Sequence, residues 1–209
     1  MRSGKILALA VLLSPAGLLG QGWTYTPAAY PAVCTNPAAP GQWTMDYETA
    51  TNRAAAEGRD LYLFVVGSTW CPDCNGLETQ VVSKPAFNAF MAASGAYWVW
   101  LDFPRRNATN ATQYGWLCHT NTGLFTLEES EARLARNRGL ERRYAPFGAY
   151  RTPTTINMPT VLALGPDGSY VGEVTHYRQL TNVTAEVFIE KLVRVRTDDA
   201  WDVQDNRVP

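Results

Sequence analysis

Six apolar residues in a row, Leu61-Tyr62-Leu63-Phe64-Val65-Val66, run through Gly67-Ser68-Thr69 into Trp70-Cys71-Pro72-Asp73-Cys74. No other stretch constrains the chain as much. A strand that is apolar on both faces needs cover on both, as the central strand of a helix-flanked sheet has. Two cysteines separated by two residues, on the first turn of a helix, bring their sulfurs within disulfide range. Unpaired N–H groups and the helix dipole at that end favour a thiolate. Pro72 suits the first helical position, where its missing N–H had no intrahelical partner. This pattern reads as a redox pair; a zinc half-site and a static disulfide are the competing readings.

The ends of the chain set its context. Arg2 and Lys5 precede the apolar run Ile6–Leu13, which is followed by Ser14-Pro15-Ala16-Gly17 and Leu18-Leu19-Gly20. A charged start, a short apolar middle and a small-residue exit read as a cleaved signal peptide over residues 1–21. The run is too short, and too broken by Pro15, to span a bilayer. Gln21, not cysteine, follows Gly20, so no lipid anchor is indicated. Export to the periplasm or beyond is expected, with no stable membrane insertion after cleavage. With 209 residues and a net charge of -1, the chain fits one domain with decorations. Near-neutral charge argues against nucleic acid as a partner.

Residues 22–42, rich in Pro, Ala, Thr and Tyr, read as an extended arm. The domain proper is expected over residues 43–196, with a polar tail at 197–209. Asp46 caps a helix that stops at Gly58. After the cysteine helix, which runs through Leu77 and Val81, Ser83 is expected to cap another, with Phe87, Phe90 and Met91 on one buried face. Ala96–Asp102 is a second apolar strand. From about 103 to 127 the texture turns to Asn, Thr and Gly, with Cys118-His119 inside, and reads as an insertion. Asn107, Asn110 and Asn182 begin N-glycosylation triplets that matter only in a eukaryotic secretory host. Thr126 and Glu129 form a capping box for a charged helix reaching Tyr144. Ile156–Leu164 reads as a strand, Gly165-Pro166-Asp167-Gly168 as a turn, and Ser169–Thr175 as its antiparallel partner. Thr184 opens a last helix with Phe188, Leu192 and Val195 on one face. Strand–helix–strand crossovers with a closing hairpin imply an α/β fold with a mixed sheet and helices on both faces.

This order, with Trp70-Cys71-x-x-Cys74 and a later Met158-Pro159-Thr160, resembles the thioredoxin superfamily over roughly residues 43–195. Gly67-Ser68-x-Trp70-Cys71 and Leu101-Asp102-Phe103-Pro104-Arg105 are similar to exported thioredoxin-like proteins of bacteria. The resemblance implies that Pro159 is cis and faces the cysteine pair. It also implies thiol–disulfide exchange on exported proteins: Cys71 attacks, Cys74 resolves, and Trp70, Met158, Pro159 and Thr160 contact an extended substrate. Pro72 and Asp73 flank the pair. No cofactor is implied; the partners are protein or peptide thiols and disulfides and a redox partner of unspecified kind. The chain departs from the family pattern in three places. Val65 stands where thioredoxin has a buried acid, Trp98 where it has a lysine, and Pro72-Asp73 where it has Gly-Pro. Proton handling and the direction of electron flow are therefore not carried over.

Cys34 and Cys118 are the remaining cysteines. They suit a structural disulfide tying the arm to the insertion. The alternatives are a relay in which Cys118 exchanges with Cys71, and a metal site built from Cys71, Cys74, Cys118 and His119. His119 and His176 otherwise read as loop and surface residues. A second class of function also fits: a binding or assembly module with a static Cys71–Cys74 disulfide.

Overall fold

The computed structural model of the protein describes residues 31–67, 71–103, 126–147, 155–175 and 183–197. The expected signal peptide, Trp70, nearly all of the 103–127 insertion with Cys118 and His119, His176, the triplets at Asn107 and Asn110, Asn182 of the third and most of the tail lie outside the described residues.

Five strands form one mixed sheet in the order β1-β3-β2-β4-β5. They are β1 (Trp43–Thr44), β2 (Leu61–Val66), β3 (Tyr97–Asp102), β4 (Thr160–Leu164) and β5 (Tyr170–Thr175). β1, β3 and β2 run parallel, and β4 and β5 are each antiparallel to their neighbour. This is the mixed, helix-flanked sheet that the crossovers and closing hairpin imply. β1 is an addition: two residues are too short to carry a periodic signal.

Among the described residues, six α-helices accompany the sheet: α1 (Pro31–Thr35), α2 (Tyr47–Glu57), α3 (Pro72–Leu77), α4 (Pro85–Ser94), α5 (Leu127–Tyr144) and α6 (Ala185–Thr197). α3 continues into a π-helical turn, Glu78–Val82. β2 is buried along its whole length, and alternate residues feed two cores. Tyr62, Phe64 and Val66 face α3, α4 and α6, together with Trp98, Trp100, Val161, Ala163 and Val174. Leu61, Leu63 and Val65 face α2 and α5, together with Tyr97, Val99, Leu101, Leu162 and Leu164.

The first core is aromatic. Trp98 stacks on Tyr62 at 4.2 Å between ring centroids, and meets Trp43 and Phe87 edge-on at 5.4 and 5.6 Å. Trp43 also meets Trp100 edge-on at 5.3 Å. Offset and edge-on rings add to their area burial. Phe87 and Met91 are buried and Phe90 packs beside them, as the spacing in α4 predicts.

Three local expectations are revised. The arm is not extended throughout, since Pro31–Thr35 form a short helix. Gly41, beyond that helix, donates its N–H to the Ala96 carbonyl at 2.8 Å. Its φ is +73°, and a Cβ there would come within 2.9 Å of Ala92 Cα, so this approach needs glycine. Ser83 does not cap α4. The π-turn extends by one residue through Ser83 N–H to Glu78 O, and Lys84 takes the cap position. The strand expected from Ile156 begins only at Thr160, because Pro159 has no N–H for the ladder. α5 starts on the expected capping box: Thr126 N–H donates to Glu129 Oε2 at 2.7 Å, and Glu129 N–H to Thr126 Oγ1 at 3.2 Å.

Candidate active site

The parallel strands β2 and β3 end side by side, at Val66 and Asp102. Gly67 follows β2, and its carbonyl accepts the Cys71 N–H at 2.9 Å. Cys71 occupies the N-cap of α3 in extended conformation, with Pro72 in the first turn. The Cys74 N–H therefore donates to Cys71 Sγ at 3.3 Å. An N–H aimed at sulfur from a helix start stabilises a thiolate more than a thiol. Cys71 and Cys74 are joined as a disulfide. Cys74 is fully buried, and the Gly67 N–H donates to its sulfur at 3.3 Å. Cys71 is 5% exposed, so it is the more accessible of the two.

The Met158–Pro159 peptide is cis. Cys71 Sγ lies 3.8 Å from the Met158 carbonyl oxygen. Met158 is half-buried and touches both cores, whereas Pro159 and Thr160 are buried. Thr160 Oγ1 donates to the Asn157 carbonyl at 2.7 Å, closing the bend. Pro72 and Asp73 are exposed, so Asp73 is a solvated carboxylate at the helix start. The structure thus brings Cys71, Cys74, Met158, Pro159 and Thr160 together, while Trp70 lies outside the described residues. Cys34 is buried at 8% exposure in the same apolar cluster as Cys71 and Cys74, and is disulfide-bonded. Cys118 lies outside the described residues.

Two buried acids near the pair were missed from the sequence. Glu78 is fully buried, with its N–H bonded to the Cys74 carbonyl, one regular turn on. Side chains four apart on a helix share a face with about 5–6 Å between Cβ atoms. Cys74, Leu77, Glu78, Val81 and Val82 make that face, and all are buried. Asp102 is 1% exposed, pairs in register with Val66 and continues the Trp98–Trp100 alternation, which puts it on the α3 side of the sheet. The signal for Glu78 was available: an acid inside an apolar stripe at helical spacing. Asp102 ends its strand and reads like any polar strand terminus.

Among the described residues, no group of three or more His, Cys, Asp or Glu side chains is arranged to hold a metal ion. Among them, too, no helix is long and apolar enough to cross a membrane.

Sheet order, the cysteine pair at a helix start and the cis proline bend facing it are those of a thioredoxin-like fold. Residues 42–126 match a family model described as thioredoxin-like. Among solved structures, the chain is similar to a DsbH oxidoreductase at 18% sequence identity, with a TM-score of 0.51. That similarity covers 77% of this chain and 88% of the other. A comparison with curated proteins found no match.

Proposed function

We propose that the protein is a thiol–disulfide oxidoreductase that works on extended protein or peptide segments through Cys71 and Cys74. One observation carries this reading. The sulfur at the α3 N-cap receives the Cys74 N–H and lies 3.8 Å from the Met158 carbonyl. That sulfur is therefore set up as a thiolate beside an edge of backbone that can pair with a substrate strand.

In the reducing direction, the Cys71 thiolate attacks one sulfur of a substrate disulfide, and the other substrate sulfur leaves as thiolate. The Cys74 thiolate then attacks Cys71 Sγ. The Cys71–Cys74 disulfide forms and the second substrate thiolate leaves. Two electrons pass to the substrate, and the two protons of the dithiol end on the released thiols. An external dithiol must restore the reduced pair. The oxidising direction runs the same steps in reverse. The thioredoxin-like match over residues 42–126 and the similarity to a DsbH oxidoreductase support the class of reaction and leave its direction open. Thiol–disulfide exchange needs no cofactor or metal.

In this reading Glu78 takes the proton from Cys74 in the resolving step, from the adjacent turn of the same face. Among the described residues, exposed Asp73 and buried Asp102 are further acids at this end of the sheet. Glu78→Gln is expected to slow resolution of a preformed mixed disulfide about a hundredfold at pH 6–7, the low end for a lost general base. The deficit should shrink as pH rises past about 8.5, where a thiol ionises unaided. Stopped-flow release of the substrate thiol against pH measures this. A Glu78→Gln profile parallel to wild type would remove Glu78 from the step.

The Arg2–Gly20 segment supports export, and with it substrates outside the cytoplasm. Cys34 pairs with Cys118 in this reading, fastening the arm to the 103–127 insertion. A second reading, a binding module with a static disulfide, draws on the 5% exposure of Cys71. A reduction potential below about −300 mV, together with no turnover, would favour it.

A further inference from the structure

Three polar side chains of helix α5 take hold of backbone in three other segments. Asn137 Nδ2 donates to the Asp102 carbonyl at 2.9 Å, at the end of β3. Glu141 Oε1 accepts the Ile156 N–H at 3.1 Å. Tyr144 Oη donates to the Gly168 carbonyl at 2.9 Å, in the β4–β5 turn. The offsets, four residues and then three, place all three on one stripe of the helix. All three are buried, at 0%, 3% and 1% exposure.

Glu141 is the member that holds the segment leading into the Met158–Pro159 bend. Ile156 stands two residues before Met158, whose carbonyl faces Cys71. The other Glu141 oxygen, Oε2, lies 2.9 Å from Arg138 Nη1. The Arg138 guanidinium in turn lies over the Phe103 ring, 5.2 Å from its centroid. One carboxylate therefore links the segment leading into Met158 to the segment leaving β3, through two partners. A buried ion pair is a poor route to stability compared with apolar packing. A charged acceptor on a backbone N–H does hold that backbone in place, with roughly twice the strength of a neutral one.

We propose that Glu141 is a positioning residue for extended substrates. By holding the Ile156 N–H it fixes the Met158 backbone as a docking edge beside Cys71. The proposal rests on the reading of Met158 as the strand-pairing edge. It concerns binding of a peptide along that edge and leaves the chemistry at sulfur to Cys71 and Cys74. A small disulfide that reacts at Cys71 without lying along Met158 should be indifferent to Glu141.

The test compares two substrates in the full chain: an extended disulfide-bridged peptide, and 5,5′-dithiobis(2-nitrobenzoic acid) reacting with the reduced protein. For Glu141→Ala, kcat/KM on the peptide should fall about tenfold, the size of one buried charge-assisted hydrogen bond, mostly through KM. The rate with the small disulfide should stay within about twofold, a change worth well under one hydrogen bond. Glu141→Gln keeps an acceptor for Ile156 and should recover most of the loss, which also covers the case in which the alanine variant fails to fold. Amide hydrogen exchange at Ile156 and Met158 should rise in Glu141→Ala and return in Glu141→Gln. Equal losses on both substrates, no loss on either, or no rescue by glutamine would overturn the proposal. The exchange measurement does not depend on turnover. If wild type shows no exchange activity, the functional reading fails, and unchanged protection at Ile156 and Met158 separately rejects the positioning role.

Discussion

Replacing Cys71 by serine is expected to reduce disulfide exchange to the uncatalysed background while leaving the fold in place. The hydroxyl is a far weaker nucleophile than a thiolate, and it cannot form the mixed disulfide through which exchange proceeds. The fold should survive for local reasons. Cys71 occupies the N-cap of α3, and serine is among the preferred residues there. Its Oγ can take over the Cys74 N–H that Sγ now accepts. The lost disulfide closes only a short loop, for which the chain-entropy gain is small. Steady-state reduction of a peptide disulfide, with circular dichroism on the same sample, measures both. A folded Cys71→Ser protein with undiminished turnover would mean that another group carries the reaction.

Trp98→Ala is expected to be the most damaging single change to stability. Trp98 is fully buried. Its ring touches Tyr62, Trp43, Phe87 and Phe90, and its Nε1 donates to Ser94 Oγ at 3.2 Å. Truncating a buried tryptophan costs about 3–5 kcal/mol, through lost transfer energy and the cavity left behind. For a chain of this size the midpoint of thermal unfolding should drop by about 10 °C. Trp98→Phe, which keeps a ring against Tyr62, should recover a large part. Calorimetry or a thermal melt decides this, and a drop of a degree or two would show that the core refills the space. At a permissive temperature the folded fraction should still exchange disulfides, because Trp98 sits near the start of β3, four residues before the Asp102 end that lies beside the site.

How much of this was legible in the residues follows from what each signal consists of. β2 was plain because a run of six apolar residues, rich in Val and aromatics and closed by Gly67, suits a strand covered on both sides. The α3 start was plain because Pro72 and the cysteine spacing are local. The α5 start was plain because Thr126 and Glu129 are a reciprocal pair. The helix in the arm and the two-residue β1 were not, since their formation depends on contacts with distant chain, such as Gly41 with Ala96 and Trp43 with Trp98. The role of α5 was hidden for a related reason. Its side chains dock through Asn137, Glu141 and Tyr144 onto backbone far away in sequence, and a helix that docks through polar groups shows only a weak apolar stripe. The resemblance supplied the partnership of Cys71 with Met158–Pro159, which no spacing between residues 71 and 158 could indicate. It also drew attention to an acid missing at Val65 and so away from Glu78, which lies one turn past Cys74.

The most direct test of the central claim uses the Cys74→Ser variant, reduced and then exposed to a peptide disulfide or an extract of exported proteins. With the resolving sulfur gone, the mixed disulfide should persist, and mass spectrometry should place the bridge on Cys71, with release by dithiothreitol. If Cys71 remains unmodified under these conditions while the peptide disulfide is available and the protein is folded, Cys71 is not an exchange nucleophile and the oxidoreductase reading is wrong.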